Sequence, residues 1–124
     1  MDFAQIDNDE FVIYHNKVKL EKRIVQYAVF DEYDIVVLLV SNTNDWKNRD
    51  EVIAIRAEWD NYKVIWTYQL GENRDISHPL GIQKILKVTQ EGIERIACLT
   101  ETTDCCIKTY IFDVETGEVI KKLT

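Results

Sequence analysis

Residues 24–40 read Ile24-Val25-Gln26-Tyr27-Ala28-Val29-Phe30-Asp31-Glu32-Tyr33-Asp34-Ile35-Val36-Val37-Leu38-Leu39-Val40. Two apolar runs rich in β-branched and aromatic residues flank a polar stop. Such residues fit a pleated surface better than a helix. The stretch predicts two antiparallel strands joined by a turn through Asp31–Asp34. The second run, Ile35–Val40, is apolar without interruption. A strand with one wet face alternates, so this one is expected to be covered on both sides.

Outward from this hairpin the same signals recur. Glu51–Glu58 and Lys63–Tyr68, with a turn at Trp59-Asp60-Asn61-Tyr62, complete a four-stranded meander over residues 24–70. Residues 71–80, polar and holding the single proline, form a linker. A second series occupies 81–124. In Ile82–Thr89, alternation puts Ile82, Lys84, Leu86 and Val88 on one face and Gln83, Ile85, Lys87 and Thr89 on the other. Ile93–Leu99, Cys106–Val114 and Glu118–Leu123 follow. Their turns fall at Glu91-Gly92, at Glu101–Asp104 and at Glu115-Thr116-Gly117, where glycine supplies a positive φ.

Laying Ile35 on Ile93 offsets the second strands by 58 residues, and laying Val64-Ile65 on Val119-Ile120 offsets the fourth by 55. The difference falls in one loop, Asn42–Asp50 in the first copy and Glu101–Asp104 in the second. Loops absorb insertions, so the two series read as copies of one plan. The expected fold is all-β: two antiparallel four-stranded meanders packed as a sandwich or half-open barrel, in a single domain over 1–124. Residues 10–23, with Phe11-Val12-Ile13-Tyr14-His15 and Val18-Lys19-Leu20, are expected to add a hairpin to one sheet and pair an exposed edge.

The stretch Cys106-Ile107-Lys108-Thr109-Tyr110-Ile111-Phe112-Asp113-Val114-Glu115-Thr116-Gly117-Glu118-Val119-Ile120 resembles the last two strands of a β-propeller blade of the WD40 or quinoprotein-like kind. Val52-Ile53-Ala54-Ile55 with Lys63-Val64-Ile65-Trp66 resembles the same unit in the first copy. The resemblance implies propeller-blade-like meanders. Propellers close with four to eight blades, so two such units are expected to bury their inner faces on each other or on a partner.

Few reaction chemistries find support. His15 and His78 stand far apart and no Cys-x-x-Cys or His-x-His occurs, so neither metal nor cofactor is implied. The Asn- and Asp-rich loop 42–50 lacks the central Gly and terminal Glu of a calcium loop. Cys105 and Cys106 are adjacent and ill-suited to pair with each other. Acidic neighbours disfavour a Cys105 thiolate. Cys98 is expected to be buried in a strand. Paired carboxylates such as Asp31/Glu32/Asp34, Glu58/Asp60 and Asp113/Glu115 are expected on a solvated surface. No nucleophile elbow or glycine-rich phosphate loop is present, so the chain is read as non-enzymatic.

Fifteen basic against 22 acidic residues give a net charge of −7, which repels nucleic acid and attracts basic proteins. The acidic N-terminus has no signal-peptide pattern, and the longest apolar run falls well short of the roughly 20 residues of a membrane span. A cytoplasmic protein is expected, without a membrane or nucleic-acid partner. Trp66 and Tyr68 share a strand face and should pack inside. Trp46 and Trp59 instead sit at loops among acids, and large aromatics in such positions anchor interfaces. Asp45, Trp46, Asp50, Trp59 and Asp60 are therefore the candidate partner-binding residues.

A small, acidic, motif-free chain with aromatic loops resembles in type the immunity proteins of bacterial toxin–immunity pairs, including contact-dependent growth inhibition. That resemblance implies occlusion of a basic toxin, commonly a nuclease. Two other functions fit the same residues: a structural half-propeller that homo-oligomerises through strand edges, and a small-molecule-binding domain or enzyme with a site between the sheets.

Overall fold

The computed structural model describes residues 1–41, 49–72, 79–102 and 107–123. Eleven strands follow one another: β1 (Phe3–Asp7), β2 (Glu10–Ile13), β3 (Asn16–Lys19), β4 (Arg23–Phe30), β5 (Ile35–Ser41), β6 (Arg49–Glu58), β7 (Asn61–Gln69), β8 (Pro79–Gln90), β9 (Ile93–Thr102), β10 (Ile107–Asp113) and β11 (Val119–Leu123). Short 3-10 turns at Asp31–Tyr33 and Leu70–Glu72 are the helical elements among the described residues. The strands form three antiparallel meanders: an N-terminal sheet β1-β2-β3, a central sheet β4-β5-β6-β7 and a C-terminal sheet β8-β9-β10-β11. The two four-stranded units thus take the expected all-β plan, and they pack as layers.

β5 explains the layering. All seven of its residues are buried. Ile35, Val37 and Leu39 join Val52, Ala54 and Trp66 against Ile82, Ile85, Ile96, Tyr110 and Phe112 of the C-terminal sheet. Val36, Leu38 and Val40 point the other way and join Ile53 and Ile55 against Phe11, Ile13 and Val18 of the N-terminal sheet. A residue-by-residue alternation of cluster membership is what a strand buried on both faces requires.

The N-terminal strands depart from expectation. They do not extend either four-stranded sheet at its edge. With β1 added, they make a sheet of their own and close the second face of the central sheet. The cause is apolar demand: Val36, Leu38, Val40, Ile53 and Ile55 would otherwise be wet, and Phe11, Ile13 and Val18 offer a matching surface. A backbone bond from Leu20 N–H to Asp9 C=O (2.7 Å) continues the β2–β3 pairing, and one from Ile24 N–H to Asn8 C=O (2.6 Å) fastens this sheet to the start of β4.

Strand β8 also differs from simple alternation. It begins at Pro79, inside the expected linker, and its pairing with β9 shifts register between Pro79 and Gly81 and again between Ile82 and Lys84. The second shift is a bulge, and it moves Ile82 to the side of Ile85. Both are buried in the inter-sheet core, while Lys84 and Leu86 face outward. Gln26 of β4 reads the adjoining backbone: its Nε2 donates to the Ile85 carbonyl (2.7 Å) and its Oε1 accepts from the Ile85 N–H (2.9 Å). One side-chain amide here takes the place of a neighbouring strand along β8.

Gly117, in the β10–β11 turn, has φ +73°, and a Cβ there would lie 2.6 Å from the Trp66 ring. The same indole donates its Nε1–H to the Val114 carbonyl at 2.7 Å. A glycine turn of the C-terminal sheet thus closes over a tryptophan of the central one. Near the other end of β6, buried Glu51 accepts hydrogen bonds from Lys22 and from Gln69 (2.8 Å), which satisfies a charge that burial would penalise.

Candidate functional site

In a meander, every second hairpin turn falls at the same end. The turns Tyr14-His15, Asp31–Asp34, Trp59-Asp60, Glu91-Gly92 and Val114–Glu118 follow strands that all run toward one end of the layers. A cleft of about 620 Å³ opens among them, lined by Tyr14, Glu32, Tyr33, Asp34, Arg56, Ala57, Glu58, Trp59 and Glu115.

Local structure sets each wall. Asp34 takes a left-handed conformation (φ 54°) as the chain leaves its 3-10 turn. Its carbonyl accepts from Ala57 N–H at 2.8 Å, which ties the β4–β5 turn to the end of β6. Its carboxylate accepts from the Tyr14 hydroxyl at 2.6 Å, and that bond to an anion holds the phenol above its ordinary pKa. Arg56 reaches across the layers to Glu115 at 3.2 Å. Beside the cleft, Asp113 accepts from the backbone N–H groups of Glu115 (2.9 Å) and Thr116 (3.0 Å) and pairs with Arg95 (2.5 Å). Burial pushes the Asp113 carboxyl upward, but these donors outweigh it and leave the pKa below the usual carboxylate range.

Trp59 forms the aromatic wall. It follows the last residue of β6, where a tight turn leaves its side chain no sheet face to lie on. It is 69% exposed. The His15 ring meets it edge-on at 4.5 Å and Tyr14 lies at 6.5 Å. Glu32, Asp34, Glu58 and Glu115 supply carboxylates around it, with Arg56 as the cation among the lining residues. An indole face beside carboxylates attracts a guanidinium or ammonium group through both its quadrupole and their charge.

Of the residues singled out from sequence, Trp59 and Asp60 share this turn. Asp50 does not join them. It lies within β6 rather than in the preceding loop, about 30 Å from Trp59 at ordinary strand rise. Asp45 and Trp46 lie outside the described residues, as do His78, Cys105 and Cys106. Cys98 is fully buried, and desolvation drives its thiol pKa far upward. Trp66 and Tyr68 pack on the inter-sheet core as expected. Tyr14, Glu32, Asp34 and Glu115 were not expected at a site. Their signal was turn parity, since alternate hairpins of each meander must end together.

Among the described residues, no group of three His, Cys, Asp or Glu side chains is arranged to hold a metal ion. No helix among them is long and apolar enough to cross a membrane. No family model, curated protein or solved structure matches the chain.

Proposed function

We propose that this protein is a non-enzymatic binding module that covers a basic protein partner, in the manner of an immunity protein occluding a cognate toxin. The supporting observation is Trp59, a large aromatic left 69% exposed at the rim of an acidic cleft. Leaving an indole wet is costly unless a partner buries it. The net charge of −7 steers a basic protein toward this chain, and carboxylates at the cleft orient it. A lysine or arginine side chain of the partner then enters between the Trp59 ring and Glu58, Asp34 or Glu115. Coverage rather than chemistry gives the effect. The nearby Tyr14 phenol is held protonated, and the Cys98 thiol is sealed in the core. The proposal includes a cytoplasmic setting, in which such a thiol stays reduced.

The test is affinity capture of basic proteins by the purified chain, followed by co-expression and calorimetric titration with a toxin so captured. Protection and a complex whose affinity falls steeply with salt are expected. Trp59→Ala should weaken binding by about 10- to 100-fold while leaving the fold intact. Absence of both protection and binding, or a Trp59→Ala variant as tight as the parent, would overturn the proposal.

A further inference from the structure

Two pairs of outer strands bound the seam between the central and C-terminal sheets, β4 with β8 and β7 with β11. Gln26 and Ile85 bridge the first pair. At the second, a pocket of about 340 Å³ enters the seam. That size falls at the low end of the roughly 300–1,000 Å³ of small-molecule sites. Its walls include Tyr68 of β7, Tyr110 of β10, Val119 and Lys122 of β11, and Glu72 of the 3-10 turn after β7. Tyr110 is only 3% exposed, yet its hydroxyl has no hydrogen-bond partner among the described residues. A hydroxyl sunk into a pocket wall without a partner is costly, and a ligand that pairs with it removes the cost. Register sets Lys122 directly opposite Tyr110. Their side chains therefore share a face and present an ammonium and an O–H side by side. Glu72 stands on the other wall, where its exposed carboxylate has no hydrogen bond or ion pair among the described residues.

We propose that this pocket binds a free α-amino acid with an apolar or aromatic side chain, held as its zwitterion. The ligand carboxylate accepts from the Lys122 ammonium and the Tyr110 hydroxyl, bonds strengthened by charge. The ligand ammonium donates to Glu72 on the facing wall. The ligand side chain lies on the Tyr68 ring and Val119. Charge selects this class over its neighbours. A plain carboxylate would enter against the field of a chain of net charge −7 and leave Glu72 unanswered. A plain amine would meet Lys122. A neutral sugar would cover both charges and neutralise neither, and covered charges need partners. A zwitterion carries no net charge and answers both walls. The inference is independent of the Trp59 cleft: that cleft lies before the first residue of β7, and this pocket lies at the strand's far end.

Calorimetric titration of the full chain with L-phenylalanine tests it, with N-acetyl-L-phenylalanine, L-phenylalaninamide and glucose as comparison ligands. A dissociation constant below about 1 mM is expected for the amino acid, and binding at least about tenfold weaker for the other three. Tyr110→Phe removes one donor and should weaken the amino acid by about 5- to 10-fold. Glu72→Gln should abolish the preference for phenylalanine over its N-acetyl derivative, and Lys122→Gln the preference over its amide. A damaged fold would weaken every ligand alike, so these crossed losses report the two walls separately. No binding at ~10 mM L-phenylalanine, a comparison ligand that binds the parent as tightly, or variants that keep both preferences would each overturn the inference.

Discussion

In the central sheet, Val36, Leu38 and Val40 lie beneath Phe11, Ile13 and Val18; in the C-terminal sheet, Leu86, Ala97 and Ile111 face away from both core clusters. The two sheets share strand count, order and direction. What separates them is the stretch of about 20 residues before β4, which gives one sheet a second cover. A meander thus sets its own hydrogen bonding, while its burial is decided by which other segment of chain reaches its free face.

The largest effect should come from breaking that cover. Phe11 is fully buried, and Phe11→Ala should cost about 3–5 kcal/mol in chemical denaturation, as deletion of a core aromatic does. A cost below about 1 kcal/mol would show that the N-terminal sheet is only loosely attached. Next comes the seam shared by both sheets. Gly117→Ala forces a Cβ into the Trp66 ring from a left-handed backbone and should cost about 2–3 kcal/mol. Its thermal unfolding midpoint should fall accordingly, and the Trp66 fluorescence should shift.

A smaller effect tests the turn beside the cleft. Asp113→Asn should cost about 1 kcal/mol at neutral pH, because it weakens the capping of Glu115 and Thr116 and removes the charge that faces Arg95. The folded carboxyl titrates below its ordinary value. Its stabilisation is therefore complete above the usual carboxylate range and is lost as the pH falls through the lowered value. The gap between parent and variant should close on acidification. A gap that widened in acid would mean that the donors do not dominate. The smallest effect should be Leu86→Ala at a side chain that is 39% exposed, below about 0.5 kcal/mol in dilute solution. A cost approaching that of Phe11→Ala would erase the contrast between the two sheets.

Much of this architecture was legible in advance. The unbroken run Ile35–Val40 signalled a strand covered twice, and the turn at Asp31–Asp34 and Gly117 marked hairpin ends. The identity of the second cover was not legible, because Phe11, Ile13 and Val18 suit an edge hairpin and a separate sheet equally well. Alternation misplaced Ile82, since a bulge at the next residue, Gln83, reverses the faces and leaves no compositional trace. At the site, Trp59 and Asp60 announced themselves as an aromatic and an acid at a turn. Glu115 could not, because its proximity to Arg56 joins two sheets through residues 59 positions apart in the chain.

The contact between Gln26 and Ile85 carries a further consequence. An outer strand with bare amides and carbonyls invites foreign strands to zip on, and nature blunts such rims with charges, kinks or coverings. Here a carboxamide imitates one rung of the missing ladder. Replacing Gln26 with leucine would leave the layers intact and unlatch that rung. The cost would appear as aggregation at high concentration, not as a lower melting temperature.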